Sequence, residues 1–108
     1  MEIPPSIRRS VKSKGGAKGL SRAIPRDKAL ERRARVHGAL SDPHRLRILG
    51  LLCAQPLCPC LLKEITRLPD SKLSYHLSVL KDAGLIEGRE EGNWIVYRAT
   101  RAGRKYRV

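Results

Sequence analysis

Three cysteines stand close together in the middle of the chain, Cys53, Cys58 and Cys60, in the spacing C-x4-C-x-C. Thiolates at this density can hold a soft ion. In an extended segment residues i and i+2 point to the same side, so Cys58 and Cys60 can aim at one ion. Pro59 keeps Cys58 extended, and Cys60 falls at the start of a short helix, where the backbone dipole favours a thiolate. Cys53 ends the preceding helix, near enough in sequence to fold over the same point. It also lies on that helix's leucine stripe, where a free cysteine behaves as a core residue, so ligand and core readings both stand. Three thiolates without a fourth ligand suit a three-coordinate ion such as trivalent arsenic or antimony, whereas structural zinc takes four ligands. Divalent cadmium, lead or mercury would need a ligand from elsewhere. Two of the thiols could instead pair as a disulfide, which would make the site a redox or sulfur sensor. His37 and His44 lie on different helices without ligand spacing and read as surface residues. No obligatory cofactor is implied.

The remaining charge points to a polyanion. Among 108 residues there are 23 Lys and Arg against 10 Asp and Glu, a net charge of +13. Such an excess favours DNA, RNA or an anionic membrane surface. No apolar run approaches the roughly 18 residues of a membrane span, and the first residues lack the apolar stretch of a secretory signal. Three cysteines cannot all pair within one chain, so reduced thiols in the cytoplasm are the expectation. There is no nucleophile with an adjacent base, no paired carboxylates and no phosphate-binding glycine loop, so an enzyme is not expected.

Residues 1–25 are rich in Lys, Arg, Ser and Gly and are expected to form a disordered basic arm, because they cannot bury enough apolar surface to offset ordering entropy. Through Arg35 this end carries 11 Lys and Arg against Glu2, Asp27 and Glu31, which reads equally as a solubilising tail or as a basic arm that touches phosphates. Residues 26–108 are expected to form one small domain. A charged helix over 26–40 has Ala29, Leu30, Ala34, Val36 and Leu40 as its apolar positions. Ser41 or Asp42 caps a second helix with Pro43 in its first turn, and Leu46, Leu49 and Cys53 form its buried stripe, widened by Ile48 and Leu52. Gln55-Pro56 ends it. A short helix over 60–67 follows, then a break at Pro69-Asp70. Asp70 or Ser71 caps a helix over 71–83 with Leu73, Leu77 and Leu80 inward and Gly84 as its stop. Strands over 85–89 and 94–99 flank a glycine-containing hairpin turn. The basic stretch 101–108 can start another helix.

Two short helices joined by a tight break, followed by a β-hairpin, make a winged helix-turn-helix; the fold class is mainly α with a β-hairpin wing. The first helix of the pair crosses the backbone and the second enters the major groove. Opposite its leucines the second helix shows Ser71, Lys72, Ser74, Tyr75 and Ser78, groups that can meet phosphates and base edges without filling the groove. Arg89 and Asn93 near the hairpin tip face the adjacent minor groove or backbone. His76 sits beside the leucines and is read as a structural residue that hydrogen-bonds across the domain.

These segments resemble the ArsR/SmtB repressors, closest to the arsenic-responsive type. The resemblance is carried by residues 39–49 (ALSDPHRLRIL), by Cys58-Pro59-Cys60-Leu61-Leu62, which is similar to the family's Cys-x-Cys metal box, by 74–86 (SYHLSVLKDAGLI) and by 92–98 (GNWIVYR), together covering about residues 36–100. It implies a dimeric repressor that binds double-stranded operator DNA without ligand and leaves when a metal or metalloid binds. Helix 26–40, joined by the C-terminal segment, is the expected homodimer interface, and a domain this small gains from a partner's burial. Three departures stand out. Lys63 occupies the position where the arsenic-type box has another Cys, Cys53 lies upstream instead, and residues 101–108 lack the ligands of a second metal site.

Overall fold

The structure, a computed structural model, describes residues 2–107. The chain divides into two compact units between Glu31 and Arg32. In the first unit α1 (Pro5–Ser13) packs with α2 (Gly16–Arg22), and α3 (Asp27–Ala39) begins. The second unit holds the rest of α3, then α4 (Pro43–Ala54), α5 (Pro59–Thr66), α6 (Asp70–Asp82), β1 (Ile86–Glu91), β2 (Trp94–Ala99) and α7 (Arg101–Arg104).

Helices α1 and α2 replace the coil expected over residues 1–25, and the boundary lies six residues later. Neither helix buries a residue. Between Ile3 and Arg26 there are seven Lys and Arg and no carboxylate.

In the second unit the buried face of α4 is Arg45, Ile48, Leu49, Leu52 and Cys53. This is one step round from the expected stripe: Leu46 is only half-buried, and Ile48 and Leu52 form the centre. The signal was present as an i, i+3, i+4, i+7, i+8 set, obscured because its first member is an arginine. Leu62 of α5, Leu80 of α6, Leu85 and Ile86 close the same core. Each fully buried leucine or isoleucine contributes about 2 kcal/mol.

Helix starts follow the chemistry at their first turns. Asp42 caps α4, its carboxylate accepting from the backbone N–H of His44 at 2.8 Å and of Arg45 at 3.3 Å. No side chain caps α6. Its N-cap is Pro69, and Asp70, expected as the cap, is instead the first helical residue, where its charge meets the positive end of the helix dipole and Lys63 at 3.0 Å. The break between α5 and α6 is set by Arg67, whose φ of 59° ends α5 in the left-handed region.

Strands β1 and β2 pair antiparallel with Glu91 opposite Trp94, leaving Gly92-Asn93 as a two-residue turn. Gly92 takes φ 61°, the positive value that the first position of such a turn requires. One further contact was not legible beforehand. Leu57 pairs with Tyr97 through two backbone hydrogen bonds of 3.0 and 2.9 Å, tying the segment before α5 to the wing.

Candidate DNA interface and thiol site

Helix α6 turns Leu73, His76, Leu77 and Leu80 into the core. Ser71, Lys72, Ser74, Tyr75 and Ser78 are all exposed, Tyr75 by 62%. A helix with this face free presents small hydroxyls, one ammonium and one phenol to solvent. On the wing, Arg89 reaches Glu87 at 3.2 Å and Asn93 lies exposed in the turn. An exposed ion pair of this kind is worth little. The sequence reading overlooked Trp94, 63% exposed beside the turn, and Ile95, 49% exposed. Large apolar groups at the tip of a hairpin were the available signal.

Behind α6 lies a buried polar contact. The Arg45 guanidinium donates from Nε to the Ala39 carbonyl at 2.7 Å and from Nη2 to the Gly38 carbonyl at 3.4 Å. Its Nη1 lies 3.1 Å from Nδ1 of His76. The structural reading of His76 is thereby met, through a partner that the sequence reading did not name. Burial pushes the His76 pKa down; the Arg45, His44 and Lys72 charges act in the same direction, and Asp42 opposes them. For Asp42, burial pushes the carboxyl up, but the His44 and Arg45 N–H bonds and the His76 and Arg45 charges together hold it below its usual value.

A carboxyl whose folded pKa is depressed stabilises the fold at pH above its unfolded value near 3.8, and this contribution disappears as pH falls through the lower folded value. Asp42→Ala should therefore lower the melting midpoint by roughly 5 °C at pH 7. The difference from wild type should shrink below pH 3.8. Melting curves that stay parallel from pH 7 to pH 3 would show that the cap is not what Asp42 supplies.

The three cysteines are free thiols in three environments: Cys53 buried, Cys58 half-buried, Cys60 exposed. Cys58 is the N-cap of α5, with extended φ −83° and ψ 159° as Pro59 dictates, and Cys60 is two residues on in the first turn. Cys53 belongs to the core cluster and its carbonyl accepts from Arg104 at 3.4 Å. Among the described residues no three His, Cys, Asp or Glu side chains stand together closely enough to hold a metal ion. Cys60 lines a groove between α5, α6 and β2, shared with Lys63, Ser74, Ser78, Lys81, Ile95 and Tyr97. His37 is exposed and His44 half-buried; the ring of His44 lies 5.6 Å from that of His76, tilted by 36°.

This arrangement of helices and hairpin has known counterparts. A family model described as bacterial regulatory protein, arsR family, matches residues 42–87. An HTH-type transcriptional regulator of Methanocaldococcus jannaschii is 38% identical over 68 residues, covering 62% of this chain and 76% of the relative. The chain belongs to the ArsR family. The arsenical resistance operon repressor of Bacillus subtilis is 47% identical over 60 residues, 55% of this ArsR-family chain and 57% of that repressor. The chain therefore spans little more than half the length of this relative. Among solved structures, the homodimeric winged helix-turn-helix DNA-binding domain of Mb0332 from Mycobacterium bovis, a possible ArsR-family regulator, superposes with a TM-score of 0.69. It is 31% identical, with 77% of this chain and 81% of that one covered. Fold and family are those of DNA-binding transcription regulators, not of enzymes. Among the described residues no helix is long and apolar enough to cross a membrane.

Proposed function

We propose that this chain is a homodimeric cytoplasmic repressor. It holds double-stranded operator DNA through α6 and the wing and releases it when trivalent arsenic or antimony binds its cysteines. One observation carries the reading: Cys60 lines the same groove as Ser74 and Ser78 of α6 and Tyr97 of β2. An ion drawn onto the start of α5 acts beside the helix that meets DNA. The name of the Bacillus subtilis relative supports the ligand class. Cys58 and Cys60 are the accessible ligands, and Cys53 joins them only if the end of α4 opens. Helix α3 is the candidate face for the two-fold partner, with Ala34 exposed; the homodimeric Mb0332 supports a dimer. The cationic segment through α1 and α2 adds phosphate contacts.

Contact between α6 and DNA is tested with a duplex that the protein selects from a random library. Affinity should fall steeply with salt, because each neutralised phosphate releases condensed counterions. Lys72→Ala and Tyr75→Ala should each weaken binding about tenfold, the loss of roughly 1.4 kcal/mol. Protection of two symmetric half-sites is expected for the dimer. If both variants bind like wild type, α6 is not the reading helix. A panel of arsenite, antimonite, cadmium, lead, mercury, zinc and a mild oxidant then identifies the releasing ligand. A ligand releases DNA only to the extent that it prefers the unbound conformation, so DNA must weaken ligand binding by the same factor.

A further inference from the structure

The contact behind α6 has a chemical condition attached to it. A guanidinium is always protonated and only donates. At 3.1 Å from Arg45 Nη1, Nδ1 of His76 must therefore be the acceptor, with the ring proton on Nε2. The same guanidinium holds the carbonyls of Gly38 and Ala39, the end of α3. Arg45 and His76 are 9% and 7% exposed, so water does not stand in for a lost partner. On α6 the preceding residue is Tyr75, whose ring lies 5.4 Å from that of His76 and whose phenol is on the exposed face. Lys72 lies one turn before His76.

We propose that the Arg45–His76 contact is the positioning clasp that holds α6 in DNA-reading register against the end of α3, and that it closes only while His76 Nδ1 carries no proton. A second ring proton would set N–H against N–H and cation against cation. The clasp then opens, and Tyr75 and Lys72 lose their reference to α3. The groups facing His76 are Asp42, His44 and Arg45 from the start of α4, and Lys72 and Tyr75 on α6 itself. Of these only Asp42 favours the extra proton. Burial, Arg45, His44 and Lys72 oppose it, so the proton arrives below the usual histidine value of 6.5. DNA affinity is then fully present at neutral pH and is lost as pH falls through the lowered histidine value. This inference rests on the DNA-binding role of α6 proposed above.

The test compares wild type, His76→Asn and His76→Leu. An asparagine oxygen stands near the place of Nδ1 and accepts from Arg45 but does not titrate; leucine fills the space and cannot accept. Affinity for the library-selected duplex is measured at constant ionic strength from pH 7.5 to 5.5. Wild type should lose affinity progressively with acid, several-fold and at most about tenfold by pH 5.5; the asparagine variant should keep wild-type affinity across the range, and the leucine variant should be about tenfold weaker throughout. Circular dichroism at each pH checks that all three remain folded. An equal acid loss in wild type and His76→Asn would overturn the proton dependence, and wild-type affinity in His76→Leu would overturn the clasp. A DNA-free readout separates this from the role of α6. Nitrogen-15 shifts of the free protein at pH 7.5 should show His76 with Nδ1 bare and Nε2 protonated, and the opposite tautomer overturns the proposal whether or not a duplex is bound.

Discussion

Serine at Cys58 or at Cys60 is expected to abolish ligand-driven release while leaving DNA affinity within about twofold of wild type, since neither side chain supports the core. Both thiols sit at the start of α5, Cys58 as N-cap and Cys60 in the first turn, and a hydroxyl there is not a soft ligand. In the proposed mechanism, removing one of two accessible thiols leaves a single attachment, which is not expected to pull α5 against the groove it shares with α6. The effect is therefore a loss of response rather than a graded shift. Cys53→Ser is different. The buried thiol lies among Ile48, Leu49 and Leu52, and a hydroxyl there costs about 1–2 kcal/mol of stability before any ligand is added. If Cys53→Ser releases DNA with the same arsenite dependence as wild type, Cys53 is core alone. If the Cys58 and Cys60 variants still respond fully to arsenite or antimonite, the thiol site is misplaced.

Gly103→Ala is expected to destabilise the second unit by about 3 kcal/mol, lowering its melting midpoint by roughly 15 °C. Gly103 is buried in the four-residue α7. A Cβ there would overlap the carbonyl oxygen of Leu85 and lie 3.2 Å from Cδ1 of Leu49. Neither neighbour can yield easily. The Leu85 carbonyl accepts from Thr100 N–H at 3.0 Å, Thr100 Oγ1 accepts from Gly103 N–H at 3.0 Å, and the same hydroxyl donates to the Gly84 carbonyl at 2.6 Å. Leu49 is fully buried. Gly38→Ala serves as the control: nothing lies within 4 Å of its added Cβ, and alanine in α3 should be neutral or stabilising by up to about 1 kcal/mol. Equal melting of wild type and Gly103→Ala would mean that α7 does not pack as described.

The sequence alone determined the winged helix-turn-helix and the face that α6 exposes. Those features rest on local signals: Pro43, the Pro69 break, Gly84, Gly92, and leucines at helical spacing, each readable within a few residues. The exposed set Ser71, Lys72, Ser74, Tyr75 and Ser78 follows from placing the leucines inward, and Cys58 extended before Pro59 follows from proline sterics. What tertiary structure decided depends on residues far apart in the chain. Whether Cys53 faces a ligand or the core was open in the sequence, because one stripe serves both; packing put it with Ile48 and Leu52. Arg45 was invisible as a buried residue, since an arginine is buried only when carbonyls and an acceptor converge on it, and these come from α3 and from a histidine 31 positions later. The Leu57–Tyr97 bridge and the clearance at Gly103 are likewise distances between segments that only meet on folding. Helices α1 and α2 mark the reverse case: composition implied that they bury little, and they bury no residue, but composition did not determine their backbone conformation.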